Sequence, residues 1–186
     1  MKTLFIDFED SFSYNVVQEM TDVGFEVEVQ NWQDFTSPPE EFDLLVFGPG
    51  PGHPDDYQSL FPLLKNYLSQ GRPFFGLCLG HQIFWRTQGE EVLRSKNPVH
   101  GQKVRLDLPS EWRKFFQISG EVFVQRYNSL AVFSGGGDPR FQNLLLEEEI
   151  MVTRGKKVLT YQFHPESVGT TFRKQFMEAI YSIVNE

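Results

Sequence analysis

Cys78 is the only cysteine in the chain. It stands in Gly76-Leu77-Cys78-Leu79-Gly80, directly after the apolar run Pro73–Leu77. A strand that turns sharply into a helix holds its connecting residue in a strained conformation, and small neighbours let the two elements approach closely. The helix N-terminus beside the sulfur favours the thiolate, the reactive form. Backbone N–H groups there, including that of Leu79, point where an oxyanion would form. The chemistry such a site supports is nucleophilic attack on a carbonyl. A lone cysteine is also commonly an inert core residue, so the G-x-C-x-G pattern by itself leaves both readings open.

A thiol nucleophile needs a base, and the base needs an orienting group. Four histidines are available: His53, His81, His100 and His164. His164 follows the strand-like "KVLTYQF" and precedes Pro165 and Glu166. Ligands bind at strand ends in α/β sheets, and a carboxylate at Glu166 can hold the imidazole in one tautomer and stabilise its cation. An ordinary solvated turn would read the same way. "GPGPGHP" (Gly48–Pro54) supplies a third element. Its glycines let the backbone approach a substrate, its prolines fix the shape, and its N–H groups could complete an oxyanion hole. The stretch lacks the ending of a P-loop and the spacing of a dinucleotide fingerprint. No two histidines have helical or turn spacing for a metal.

The elements that must position these residues alternate. "TLFIDF" (Thr3–Phe8), "FEVEVQ" (Phe25–Gln30), "LLVF" (Leu44–Phe47) and "PFFGL" (Pro73–Leu77) read as strands. Between the first two, Phe12, Val16, Met20 and Val23 give a helix one apolar face, with Ser11 as its cap and Gly24 as its end. "SPPEEFD" reads as a loop. "YQSLFPLLKNYLSQG" is a helix if Pro62 lies in its first turn, and "GHQIFWRTQG" is another. From Gly89 to Phe163 short β-like runs ("KVRLDL", "EVFVQRY", "KVLTYQF") alternate with turns such as "SGGGDP", and further strands are expected, some antiparallel. A last helix carries Phe172, Phe176, Ile180 and Val184 on one face. The expected fold is α/β: a mostly parallel central sheet flanked by helices, with additional antiparallel strands. One domain over residues 1–186 is the simplest division.

Composition narrows the function classes. The net charge of −8 disfavours a phosphate backbone, so nucleic acid is not an expected partner. No apolar run approaches the ~18 residues of a membrane span, and the acidic N-terminus is not a secretory signal. A single cysteine suits a reducing, cytoplasmic setting. The nineteen phenylalanines are read as core filling.

Taken together, "GPGHP" (Gly50–Pro54), "GLCLGHQ" (Gly76–Gln82) and "HPE" (His164–Glu166) resemble the three motifs of the class I, triad-type glutamine amidotransferases, in order and separation. The resemblance spans nearly the whole chain and implies that family's three-layer, flavodoxin-like sheet. "IDFEDSFSYNVVQ", "PVHGQ" and "QRYNSLAV" resemble segments of the small subunits of anthranilate synthase and aminodeoxychorismate synthase, without the synthetase domain of larger relatives.

The resemblance implies that Cys78 is the nucleophile, His164 the base and Glu166 its orienter. It places the oxyanion on the N–H groups of Gly50 and Leu79. It gives glutamine binding to Gly52, Gln82 and the backbone around Ser129 and Leu130. It implies no metal or organic cofactor, L-glutamine as substrate, and transfer of ammonia to a chorismate-binding large subunit. "PVHGQ" and "RYNSL" are the docking candidates for that partner. The chain departs from the family pattern at Phe8, Glu90 and Asn128, where Asn, Gly and His are usual. Asn128 keeps a hydrogen-bonding side chain but cannot become cationic. A stand-alone γ-glutamyl or glutamine hydrolase, and a non-catalytic subunit that keeps the fold, are the alternatives.

Overall fold

The computed structural model describes residues 1–37, 40–133 and 138–185. Eleven strands and six α-helices follow one another along them. The first half holds β1 (Lys2–Asp7), α1 (Ser13–Asp22), β2 (Glu26–Asn31), β3 (Leu44–Phe47), α2 (Phe61–Ser69), β4 (Phe74–Leu77) and α3 (Leu79–Gln88). Then come β5 (Val92–Arg94), β6 (Gln102–Arg105), α4 (Ser110–Phe116), β7 (Phe123–Arg126) and β8 (Leu130–Val132). The chain closes with β9 (Phe141–Leu146), β10 (Glu149–Gly155), β11 (Val158–Tyr161), α5 (Arg173–Glu178) and α6 (Ile180–Asn185).

Seven strands form one sheet in the order β2-β1-β3-β4-β11-β10-β9. The first five are parallel, and β10 and β9 extend the sheet antiparallel. Two short antiparallel pairs, β5 with β8 and β6 with β7, stand apart from it. The fold is therefore α/β with a mostly parallel sheet and added antiparallel strands, as the alternation of runs predicts.

Strand periodicity divides the core into two layers. Phe5, Leu44, Val46, Phe75, Leu77, Leu159 and Tyr161 pack under α1, α4 and the α5–α6 segment. Leu4, Ile6, Leu45, Phe47 and Phe74 pack under α2, α3 and the 3-10 helix Pro54–Leu60. Strands buried on both faces read as continuous apolar runs, which is why "LLVF" and "FFGL" are legible as sequence. The C-terminal ends of β1, β3, β4 and β11 lie side by side, and each sequence motif follows one of them.

Local expectations fail in three places. Ser11 does not cap α1: the helix starts at Ser13, Asp10 Oδ1 accepts from the Phe12 N–H at 2.8 Å, and Asp7 Oδ1 accepts from Ser13 Oγ at 2.5 Å. The Asp10 and Asp7 carboxylates hold the turn that leads into α1, and no side chain caps the helix N-terminus. Within the stretch read as strands and turns, α4 forms, burying Trp112 and Phe116. The terminal helix is divided at Ala179, although Phe176 and Ile180 remain fully buried on its inner face. Pro62 does lie in the first turn of α2, as that helix requires. Pro38 and Pro39 of "SPPEEFD" and 134–137 of "SGGGDP" fall outside the described residues.

Candidate active site

Cys78 joins β4 to α3 with φ +52° and ψ −99°. A non-glycine residue at positive φ costs about 1–3 kcal/mol and persists only where its surroundings impose it. Here the imposing contacts are backbone on backbone. A Cβ on Gly80 would run into the Phe47 carbonyl oxygen, and one on Gly76 would lie 2.8 Å from the Gly80 carbonyl oxygen. Glycine on both sides of the cysteine is thus what lets α3 start against β3 and β4. Gly80→Ala should therefore destabilise the fold by about 3 kcal/mol or more, since no side chain can swing aside. Gly71→Ala, where the added carbon meets nothing within 4 Å, should cost about 1 kcal/mol from backbone strain alone. Urea unfolding of the two variants measures the difference.

His164 lies just beyond β11 and is 2 % exposed. Its Nδ1 lies 2.6 Å from Glu166 Oε1. A carboxylate only accepts, so Nδ1 carries a proton, and the neutral ring presents Nε2 as its basic nitrogen. Nε2 is buried and makes no hydrogen bond to the chain. Burial opposes protonation of His164, but Cys78 and Glu166 outweigh it and hold the ring well above the ordinary imidazole value. The imidazolium so favoured is the counter-ion a thiolate needs. The rings of Phe12 and Tyr127 cover the imidazole, with centroids 5.8 and 4.9 Å away.

His81, three residues after Cys78, is a different kind of histidine. It is fully buried, its Nδ1 is 2.8 Å from Thr160 Oγ1, and burial pushes it down to about 3. That ring stays neutral at physiological pH, so only His164 can serve the thiol as a cation. His53 serves its own loop, accepting at Nδ1 from the Asp55 N–H at 3.2 Å. His100 is exposed.

Seven of the residues singled out from sequence line one cavity of ≈ 250 Å³: Gly50, Gly52, Cys78, Leu79, Gln82, Ser129 and Leu130. A larger hollow of ≈ 610 Å³ beside Arg126 contains none of them. Leu79 opens α3, where N–H groups have no intrahelical acceptor. Gln82 donates to the Leu130 carbonyl at 3.1 Å. Its amide nitrogen is therefore committed, and its oxygen is the end left to accept a hydrogen bond. Among the described residues no cluster of His, Cys, Asp and Glu is placed to hold a metal ion.

The profile of the family "Glutamine amidotransferase class-I" matches residues 4–183. The chain belongs to that family. It is 33 % identical to anthranilate synthase component 2 of Helicobacter pylori strain 26695 over 189 residues, covering 96 % of this chain and 95 % of the relative. It is 32 % identical to aminodeoxychorismate/anthranilate synthase component 2 of Bacillus subtilis, covering 94 % and 92 %. In fold it is similar to a putative GMP synthase chain of Thermoplasma acidophilum, with a TM-score of 0.84 at 17 % identity over 100 % of this chain and 94 % of that one. A glutamine amidotransferase of Thermotoga maritima superposes with a TM-score of 0.71 at 21 % identity, over 100 % and 84 %.

The departures from the family pattern acquire physical roles. Asn128 is 4 % exposed, accepts from Arg126 Nε at 3.0 Å and donates to the Leu130 carbonyl at 2.9 Å. Arg126 in turn pairs with Glu149, and both are buried. Ser95 Oγ donates to the second oxygen of Glu149 at 2.6 Å. Asn128 is thus the last link of a buried polar chain that fixes the Ser129–Leu130 backbone of this amidotransferase. Phe8 is buried edge-on against Phe47 and Tyr57, beneath the Gly50 loop. Glu90 follows the left-handed Gly89 that ends α3, and its carbonyl accepts from Arg86 Nη1 at 2.9 Å. Sequence reasoning assigned no place in the site to Phe12, Tyr127 or Gln162. The signal for Gln162 was present: a polar residue between two aromatic ones at the end of a buried strand.

Proposed function

We propose that this chain hydrolyses L-glutamine to glutamate and ammonia through Cys78, His164 and Glu166, and that it delivers the ammonia to a chorismate-using synthase partner. The observation that carries the reading is the buried His164–Glu166 pair beside the thiol that heads α3. This is a base with a fixed tautomer next to a nucleophile at a helix N-terminus.

Glutamine binds in the cavity with its α-ammonium toward Gln82 Oε1 and its α-carboxylate toward Gly52 and the Ser129–Leu130 backbone. The Cys78 thiol proton passes to His164 Nε2, and Sγ attacks the side-chain carbonyl carbon. The oxygen takes the negative charge and is held by the N–H groups of Gly50 and Leu79. The carbon–nitrogen bond breaks as Nε2 returns its proton, and ammonia leaves. Water, deprotonated by the same nitrogen, then opens the thioester and regenerates the thiol. Glu166 stabilises the imidazolium throughout.

Free ammonia is lost unless an acceptor site adjoins, and the relatives of this length are named as second components of synthases. The segments read from sequence as docking candidates flank the cavity. The Val99 N–H donates to the Asn128 carbonyl at 3.3 Å and the Ser95 N–H to the Ser129 carbonyl at 2.9 Å, while Pro98, His100 and Gln102 are exposed. A large subunit resting on 98–102 would therefore push directly on the backbone that holds glutamine.

The expected result is slow glutamate release from the isolated chain, rising at least tenfold when a chorismate-binding large subunit is supplied with chorismate. Equal rates alone, with the partner, and with partner plus chorismate would instead make the chain a stand-alone hydrolase.

A further inference from the structure

We infer that Gln162 is a further catalytic residue: its side-chain amide donates to Cys78 Sγ and stabilises the thiolate, with Gln82 holding that amide in the one orientation that can do so. The inference rests on the reading of Cys78 as nucleophile and adds a residue to which no motif gives a role.

The placement follows from strand register. β11 pairs in parallel with β4, with Tyr161 opposite Leu77, so the next residues along, Gln162 and Cys78, are neighbours across the sheet end. Tyr161 and Phe163 stack on one another at 5.1 Å and belong to the layer under α4 and α5. Alternation sends Gln162 to the opposite face, toward α3. There its Nε2 lies 3.7 Å from Cys78 Sγ, a hydrogen-bonding distance for the large sulfur atom. Gln162 is 0 % exposed. An uncharged amide in that position is costly unless both of its ends are used.

The direction of the amide is determined by the chain. The Leu130 carbonyl can only accept, so the Gln82 nitrogen must face it. The same nitrogen lies 3.1 Å from the Gln162 oxygen and donates to it. Gln162 therefore presents nitrogen, never oxygen, to the sulfur. Donation runs one way from Gln82 through Gln162 to Sγ, and the backbone acceptor at Leu130 sets it. An amide N–H bonds a thiolate far better than a thiol, so the contact favours the ionised sulfur. It does so as a hydrogen-bond donor, whereas the contribution of His164 is a counter-charge.

The same array makes the nucleophile responsive to the substrate site. Leu130 and Gln82 line the glutamine cavity. Movement of the Ser129–Leu130 backbone would release the Gln82 amide, and the Gln162 amide would lose its fixed direction.

The test is the pH profile of Cys78 alkylation by iodoacetamide, which needs no glutamine and so does not depend on the amidotransferase reaction. Gln162→Met keeps the length and removes the donor. Gln162→Glu keeps the shape to within one atom and places an acceptor or a negative charge at the sulfur. The midpoint of the profile should move to higher pH by about one unit in Gln162→Met, a tenfold fall in thiolate fraction at a given pH, and by more in Gln162→Glu. Gln82→Leu should move it in the same direction, and adding it to Gln162→Met should bring no further shift. Profiles of both Gln162 variants that overlay the wild type would overturn the inference. If Gln162→Met does not fold, as judged by circular dichroism, the Gln162→Glu profile decides alone. A wild-type chain that alkylates at Cys78 but releases no glutamate, even with a chorismate-binding large subunit and chorismate present, would leave this inference standing and sink the proposed function instead.

Discussion

Cys78→Ser is expected to reduce glutamate release by roughly ten-thousandfold or more, the scale seen when a nucleophile that works as part of a unit is removed. A hydroxyl is far less acidic than a thiol, and a single imidazole cannot ionise it to a comparable degree. The substitution changes one atom. It leaves the backbone at φ +52°, which the close contacts of Gly76 with Gly80 and of Gly80 with Phe47 impose. Folding stability should therefore change by no more than about 0.5 kcal/mol. Glutamate release and urea unfolding, measured on the same preparation, separate the two effects. Turnover near that of the wild type in the serine variant would remove the thiol from the mechanism.

His164→Ala should cost a similar factor, because the proton taken from Cys78 and the proton given to ammonia both pass through its Nε2. The pH dependence carries a sharper test. Burial disfavours the charged ring, yet the Cys78 and Glu166 charges hold its proton well above the usual value of about 6.5. The ring must be protonated to release ammonia. The alkaline limb of kcat/KM should accordingly lie well above 6.5, with activity retained through neutral pH and lost only as pH rises through the folded value. Glu166→Gln still accepts from Nδ1–H but removes one of the charges that hold the proton. It should shift that limb to lower pH and reduce turnover by less than His164→Ala. An alkaline limb near 6.5 in the wild type, or one that Glu166→Gln leaves in place, would assign the acid role to another group.

The sheet was legible because parallel strands buried on both faces are written as unbroken apolar runs. Leu44–Phe47 coincides with β3, and Pro73–Leu77 overruns β4 by one residue. The elbow was legible because close backbone approach leaves a mark that only glycine makes, at Gly76 and Gly80. What escaped was short or spatial. The helix α4 has seven residues, fewer than periodicity needs to declare itself, and it follows runs of β-like composition. Ser11 attracted the cap because hydroxyls favour that position, whereas α1 starts two residues later and Asp10 and Asp7 hold the turn before it. Gln162 and Cys78 are far apart in sequence and become neighbours only through the pairing of β11 with β4. Asn128 read as a docking residue from its motif. Its burial against Arg126 depends on Glu149 of β10, which the motif does not contain.

The most direct measurement is covalent labelling with an electrophilic glutamine analogue, followed by peptide mapping. If Cys78 is the nucleophile of a glutamine site, the peptide bearing it is modified, the reaction is slowed by excess L-glutamine and not by L-asparagine, and His164→Ala greatly reduces it. Labelling at another residue, or labelling of Cys78 that glutamine does not slow, would contradict that assignment.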